Sequence, residues 1–589
     1  MDDPDSGSID TALHRSATSH RSVALLACVG FAIPIGAYFW FIHHYALNII
    51  RTDQWSDIQL IAKSYSGHLS FADLWAPHYE NRILFPNLFV LLLSRTTNLN
   101  ILVEEYLSAA MLVASAGLVI FAHRRRVGLA WICYCPVAIL MLSFVQHENT
   151  LWGFQLAWYL VLLAAAATFT LLDRPILTWW WLTASVGAAV VASYSSLQGL
   201  IVWPTGLLLL YYRNRPRSFA IAWICAATVT VALYFLNFAP GSDYVVGHPF
   251  AALQFYFVAI GDVVGVYVSG TGATATAILV LGLVLFAVSI WVLVAYCRGR
   301  DETSGLPLAA ALITFGLVFA GLVTIGSIKQ GLPGASSSRY RTFDLLILVG
   351  LYLAVLDVFA LRRSARESSR PRGTLPEATS SVVGNTGGKQ PQRVFVALAA
   401  VVALIVGLQI AIGVPQGLAG GRTDHTNQVL AGRVEANLDG YPGGFALSVT
   451  APLFSIGEIR QLNEAAQRRH LSLFATDAAA KYRAEGPIAD TSPLATRISL
   501  PKPDAVLKGG EILSATSIDY FVTKVQFEIT GVGLKNAVLL TAEPYTYGWI
   551  ALWRTTTVPN GSYLVQSIAY TAAGRVARSA EVSVVVKNA

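Results

Sequence analysis

Charge is what this chain has least of. Asp, Glu, Lys and Arg make up 13% of its 589 residues, about half of the ~25% usual in a soluble globular protein. With a hydrophobic share of 54% and a mean hydropathy of +0.55, that deficit excludes an ordinary soluble enzyme. It points to a polytopic membrane protein. Cysteine is scarce as well. Cys28, Cys133, Cys135, Cys225 and Cys297 all fall in apolar runs, which excludes a disulfide framework and a CxxC metal pair. No internal repeat is visible. The net charge of +7 does not signal nucleic-acid binding, because its placement follows the membrane.

What the chain has is apolar runs near 20 residues. Eleven read as spans: 23–45, 103–122, 127–145, 151–172, 176–194, 197–212, 218–238, 272–297, 306–328, 342–361 and 394–414. With the N-terminus cytoplasmic, the inner segments carry 18 Lys and Arg, and the short outer loops carry seven. This bias fixes the expected orientation. It puts the 56-residue loop Ala46–Ile101 and everything after 415 on the extracytoplasmic side. Ile83–Ser94 is too short to cross, and Pro249–Ser269 contains Asp262. Both read as helices lying at the outer surface or dipping in and back. The first apolar stretch is longer than a signal h-region and reads as a retained anchor.

Residues 1–22 read as a disordered cytoplasmic N-terminus, and 23–361 as the transmembrane domain. Residues 362–393 form a charged, Gly/Ser/Pro-rich cytoplasmic linker, and 394–414 the last span. Residues 415–500 are a small mixed segment with helical patterning at Asn427–Leu438 and Ile456–Arg469. From 501 to 589 the pattern changes to short alternating strands. Val522–Ile529 and Glu581–Val586 have period 2, and Pro559-Asn560-Gly561 is a turn. Roughly seven such strands over this length argue for an Ig-like β-sandwich. It serves either as a spacer or to bind glycan or acceptor.

The polar loop holds the chemistry. Asp53 and Asp57, in DQWSD, share a face if helical. Two such carboxylates can hold a divalent cation. Alternatively, one acts as the base that takes a proton from an incoming hydroxyl. His78, Glu80 and Arg82 alternate in HYENRILFP and point one way if extended. His78 with Glu80 suits a base and its orienter or two metal ligands, and Arg82 suits a phosphate clamp. An Arg82–Glu80 ion pair is the plainer alternative. His147, Glu148 and Asn149 occupy the next outer loop, with Trp152 and Gln155 following inside a span. Polar groups there face a cavity or cap a helix. Arg339, Tyr340 and Arg341 close a later outer loop near Lys329 and Asp344. An anionic lipid phosphate or simple snorkelling accounts for such outer arginines. All these groups fall on one expected side of the membrane. They suit a substrate with a lipid tail, a phosphate and a hydroxylated head.

One span, a large outer loop with an early Asp, short hydrophobic loops and a late outer Arg form an order that resembles the GT-C class of integral membrane glycosyltransferases. The stretches DQWSD, LWAPHYENRILFPNL, HENTLWGFQLAWYL, YSSLQGLIVWPTGLL and SSRYRTFDLL look like those of bacterial members, over about 46–361 and more loosely 415–475. The resemblance implies inverting transfer of a sugar from a polyprenyl-phosphate donor to an envelope glycan or glycolipid acceptor. It implies Asp53 as base, with Asp57 as the second candidate. Arg339, beside Tyr340, and Arg82 would hold the donor phosphate. His78, Glu80, His147 and Glu148 would line the sugar and acceptor pocket, and Gln155, as a polar residue facing the cavity, is read as binding substrate with them. The chain departs from the class pattern in lacking an Asp-x-Asp pair in the loop and a WWDYG motif, which leaves the metal open. Two rival readings are a flippase for lipid-linked saccharides and a non-enzymatic envelope-assembly scaffold.

Overall fold

The computed structural model describes residues 6–237, 248–268, 272–298, 307–368, 400, 403, 404, 406–441, 443–450, 454–487, 493–517, 521–531, 533–545, 548–571 and 573–588. The linker beyond 368 and much of the expected last span lie outside these. Among the described residues, eight helices are long and apolar enough to cross a membrane. They occupy Ser22–Tyr45, Ile101–Val127, Trp131–Thr150, Gly153–Leu172, Arg217–Tyr234, Ala273–Arg298, Pro307–Ala335 and Ser338–Leu361. Four shorter apolar helices accompany them: Leu84–Thr96, Trp179–Ser193, Leu197–Tyr212 and Pro249–Val264.

In chain order the helices used below begin with α1 (Ser6–Tyr45), α2 (Gln54–Tyr65), α3 (Phe71–Trp75), α4 (Leu84–Thr96) and α5 (Ile101–Val127). Then come α6 (Cys135–Met141), α7 (His147–Thr150), α8 (Leu156–Leu172), α9 (Trp179–Ser193) and α10 (Val202–Tyr212). α11 (Arg217–Tyr234), α12 (Pro249–Gly261), α13 (Ala273–Arg298), α14 (Pro307–Ser327), α15 (Gly331–Ala335) and α16 (Arg341–Ser368) complete the bundle. α1 runs back into the stretch expected to be disordered. That stretch has no proline within the helix before Pro34, and extending a nucleated helix adds one hydrogen bond per residue. α5 shows how sequence sets the ends. Asn100 caps it by accepting from Leu102 N, and Gly128, at φ 70°, ends it in the left-handed conformation after Arg124–Arg126. The expected spans 176–194 and 197–212 are the short helices α9 and α10. At 1.5 Å per residue, α9 reaches roughly 22 Å, less than the ~30 Å hydrocarbon core.

A second body sits at the α1–α5 loop. The loop folds as α2, α3, a hairpin of β1 (Pro77–His78) and β2 (Asn81–Arg82), and α4. Four later helices pack on it: α17 (Val414–Ala436), α18 (Gly443–Thr450), α19 (Ile456–Arg468) and α20 (Asp477–Glu485). The two share one apolar core, in which Trp55, Ile58 and Ile61 meet Val434, Ile459 and Leu473. Backbone bonds stitch them together: Thr52 N donates to Thr450 O at 2.7 Å, and Ser472 N to Asn98 O at 2.9 Å. The segment expected to be a mixed small unit is therefore a helical cover for the loop.

The C-terminal part is a curled nine-stranded sheet. Its strands are β3 (Thr496–Leu500), β4 (Ala505–Leu507), β5 (Gly510–Ser517), β6 (Val522–Gly531), β7 (Val538–Tyr545), β8 (Gly548–Arg554), β9 (Gly561–Thr571), β10 (Val576–Arg578) and β11 (Val582–Val586). The order is β3-β5-β8-β7-β6-β9-β11-β4, with β10 on β9. β7 pairs with β6 along Val538–Ala542 and with β8 along Glu543–Tyr545. That switch folds the sheet over a core containing Phe527, Trp553 and Tyr563. Tyr563 OH donates to Pro559 O four residues upstream, at 2.6 Å, the corner geometry found in Greek-key sandwiches.

Candidate functional site

Thr52, at φ 43°, turns the chain into α2 and leaves Asp53 at the N-cap position. The Asp53 side chain makes no capping bond. Its Oδ1 instead lies 3.9 Å from His78 Nε2, and both side chains are 19% exposed. His78 sits on the hairpin, with its ring 5.1 Å from that of Phe154. Its Nε2 is buried and lacks a hydrogen-bond partner among the described residues. The hairpin is fixed from below. Asn81 Oδ1 accepts from Ser196 Oγ at 2.7 Å and Leu197 N at 2.9 Å. Tyr234 OH donates to Glu80 O at 2.8 Å.

The hairpin turn at Tyr79 (φ 53°) breaks the alternation that would have aimed His78, Glu80 and Arg82 together. Glu80 is exposed. Arg82 is buried, and its guanidinium is committed to backbone. Nε donates to Tyr234 O at 2.5 Å, Nη1 to Trp75 O at 2.7 Å, and Nη2 to Leu236 O. It also lies over the Trp75 ring. Three carbonyls make Arg82 a fastener for the hairpin rather than a free phosphate clamp.

Beneath Asp53 the site turns acidic and dry. Asp57 and Glu104 are both buried, and with Asn87, Gly153 and Phe154 they line a cavity of about 10 Å³, the room of a single water. Gln54 Nε2 donates to Glu104 Oε2 at 3.2 Å. Burial first, then the negative charges of Glu104 and Asp53, push the Asp57 carboxyl well above the ordinary carboxylate range. Gly153 is required here, since a Cβ would stand 2.3 Å from Glu104 Oε2 and 2.9 Å from Gln54 Nε2. Gly153→Ala is expected to destabilise the protein by about 1–3 kcal/mol, read as a lowered thermal midpoint in detergent. An unchanged midpoint would mean the acid pair has room to move.

Next to this pair, Arg51 Nη1 donates to Leu151 O at 3.1 Å. His147 Nδ1 and Asp424 Oδ2 are 2.7 Å apart. Burial alone would raise the Asp424 carboxyl, but His147 and Arg51 outweigh it and hold it below its ordinary value. Gly420 lets α17 close onto the His147 ring, where a Cβ would come within 2.3 Å.

The remaining candidates join a third group. Glu148 Oε2 accepts from Ser337 Oγ at 3.0 Å, and Glu148 N donates to Ser338 Oγ at 3.1 Å. Asn149 Nδ2 donates to Arg339 O at 2.7 Å and Thr342 Oγ1 at 2.8 Å. Arg339 lies over the Tyr340 ring and donates to its hydroxyl at 3.2 Å. The Tyr340 hydroxyl in turn bonds Ser327 Oγ at 2.8 Å. Arg341 is locked to Asp262, with Nη2 at 2.6 Å and Nε at 3.0 Å. Gln155 is buried, and its Oε1 has no partner among the described residues. Residues 147–155 connect the three groups along the chain.

Glu104, Glu105 and Asp424 were absent from the sequence-based candidates. The first two carried a usable signal: adjacent carboxylates inside an apolar run are costly unless they face a cavity or partner. Among the described residues no three His, Cys, Asp or Glu side chains form a group able to hold a metal ion.

No protein-family profile and no curated protein matches the chain. Among solved structures, ArnT from Cupriavidus metallidurans, bound to undecaprenyl phosphate, is 13% identical with a TM-score of 0.33. That similarity covers 80% of this chain and 82% of that one. The fibronectin(III)-like modules of CbhA from Clostridium thermocellum are 21% identical with a TM-score of 0.13, over 16% of this chain and 94% of theirs. An endo-beta-1,4-mannanase from Thermotoga petrophila is 18% identical with a TM-score of 0.15, over 24% of this chain and 26% of its own length. At such scores the architecture rests on this chain's own helices and strands.

Proposed function

We propose that this protein is a membrane glycosyltransferase of GT-C type. In this reading it takes a sugar from a polyprenyl-phosphate donor and passes it, with inversion, to an envelope glycan or glycolipid on the extracytoplasmic face. One observation carries the reading: Asp53, an uncapped and partly exposed carboxylate, stands beside the partnerless Nε2 of His78 at the rim of an apolar helical body.

Asp53 takes the proton of the acceptor hydroxyl, and His78 orients that hydroxyl between them. The acceptor oxygen then attacks the anomeric carbon as the phosphate leaves. A positioned base of this kind contributes roughly 10²–10⁴-fold. We assign the departing phosphate's charge to Arg339, with Arg51 as the second cation, because Arg82 is held by carbonyls. Arg339→Gln is expected to lower kcat/KM for the donor about tenfold. Glu148 holds the 337–342 turn that presents Arg339. The terminal sheet we read as an Ig-like spacer.

The test is purified protein with a labelled polyprenyl-phosphate sugar and an acceptor glycan, followed for labelled product. Product formation supports the transferase. Lipid movement across vesicles without product would replace it with the flippase.

A further inference from the structure

The far end of the bundle holds a second constellation that the transfer reaction does not use. Glu104 and Arg126 stand near opposite ends of α5, roughly 33 Å apart at 1.5 Å per residue. At Arg126, the C-terminal ends of α5, α8 and α10 meet around one acid, Asp173, which is buried. Arg126 Nε lies 2.7 Å from Asp173 Oδ2. Arg213 Nε donates to Asp173 Oδ1 at 2.7 Å, and its Nη2 bonds the same oxygen. Arg215 reaches back to two backbone carbonyls, Nη1 to Pro175 O at 3.1 Å and Nη2 to Arg174 O.

Two guanidinium groups thus pair with a single carboxylate, and a third, that of Arg215, lies near enough to feel its charge, an excess of two positive charges. Asp357 is an acid near enough to feel the charge of Asp173. It is taken up by His123 at 2.7 Å and Tyr296 at 2.5 Å. Capping of α8 accounts for part of the arrangement, but not for its leftover donors. Arg126 Nη2 and Arg215 Nε are buried atoms with no hydrogen-bond partner among the described residues. Buried N–H donors without acceptors are costly, and like-charged arginines repel. Burial first and Arg213 second depress the Arg215 pKa, against the pull of Asp173. An added anion removes both penalties.

We propose that Arg126, Arg213 and Arg215 form a phosphate-binding site at the end of the bundle opposite Asp53. The guanidinium fork matches phosphate oxygens in pairs, and basic pockets between membrane helices suit phospholipid headgroups. The phosphate comes either from an anionic phospholipid or from free inorganic phosphate. The site does not depend on the transferase reading, because no residue of it touches the Asp53 region.

The test uses the delipidated full chain. Thermal midpoints are followed during titration with phosphatidylglycerol in phosphatidylcholine nanodiscs, and separately with inorganic phosphate in detergent at matched ionic strength. A rise with phosphatidylglycerol alone assigns the lipid headgroup, and a rise with inorganic phosphate assigns the free ion. In either case Arg215→Gln, which leaves the Asp173 pairs intact, is expected to move the titration midpoint about tenfold. The exposed neighbour Arg125 serves as control, and Arg125→Gln is expected to leave it in place. No rise with either anion overturns the proposal. So does an Arg125→Gln shift as large as that of Arg215→Gln, which would reveal a diffuse charged collar instead of a built site.

Discussion

Asp53→Asn is expected to lower sugar transfer by roughly 10²–10⁴-fold while the protein still folds. The substitution keeps the side chain's size and removes its basicity. It costs no capping bond, since Asp53 makes none, and Asn serves as well as Asp at an N-cap. A loss of product therefore cannot be charged to unfolding. Asp57→Asn provides the contrast. Asp57 is buried beside a cavity of about 10 Å³, too small for a sugar hydroxyl with its ring. Its burial already favours the uncharged carboxyl, which an amide resembles. Asp57→Asn should thus retain most of the rate. His78→Gln should fall between the two, raising KM for the acceptor more than it lowers kcat. Transfer at the original rate in Asp53→Asn would place the base elsewhere and remove the observation on which the reading stands.

Hydropathy made the membrane body legible, because apolar runs near 20 residues have few other uses. It misjudged length at α9, whereas the stretch 197–212 coincides with the apolar helix Leu197–Tyr212. Ile176 and Leu177 extend the apolar run, but the helix itself begins only at Trp179. The site was legible in composition and illegible in arrangement. Asp53 and His78 stand out as polar residues in a loop, yet nothing local says that they meet. Their approach depends on the left-handed turns at Thr52 and Tyr79, conformations that side-chain patterns do not announce for these residue types. The same turn at Tyr79 sends Arg82 to the carbonyls around Tyr234. The cover formed by α17–α20 was hidden for another reason. Its core is shared between segments more than 300 residues apart in sequence, such as Ile50 and Val434, and periodicity within either segment reports a buried face without naming its partner.

That shared core yields the second large effect. Glu435 on α17 is fully buried, and its Oε2 accepts the backbone N–H of Ile50 at 3.2 Å. Burial raises its pKa from 4.5 to about 8, against the lowering pull of the Ile50 bond. Below pH ~4.5 both folded and unfolded chains carry the proton, and the group costs nothing. As pH rises past that point the unfolded chain ionises first, so stability falls until the folded carboxyl ionises near pH 8. Across this window the loss is on the order of 3–5 kcal/mol. Glu435→Gln keeps an oxygen for Ile50 and cannot ionise. The difference in unfolding free energy between variant and parent should therefore grow from pH 5 to pH 8, in favour of the variant. Titrating groups not coupled to Glu435 cancel in that difference, and Tyr482, which Glu435 helps to raise above its ordinary value, does not titrate in this window. Urea unfolding of both proteins at the two pH values reads it directly, and parallel profiles would refute the assignment. The consequence reaches the site, because Ile50 lies three residues before Asp53 and Thr52 is tied to Thr450 on α18. Ionising Glu435 strengthens its Ile50 bond but leaves a charge buried in the core beneath the base, so the variant should hold its transfer rate to higher pH than the parent.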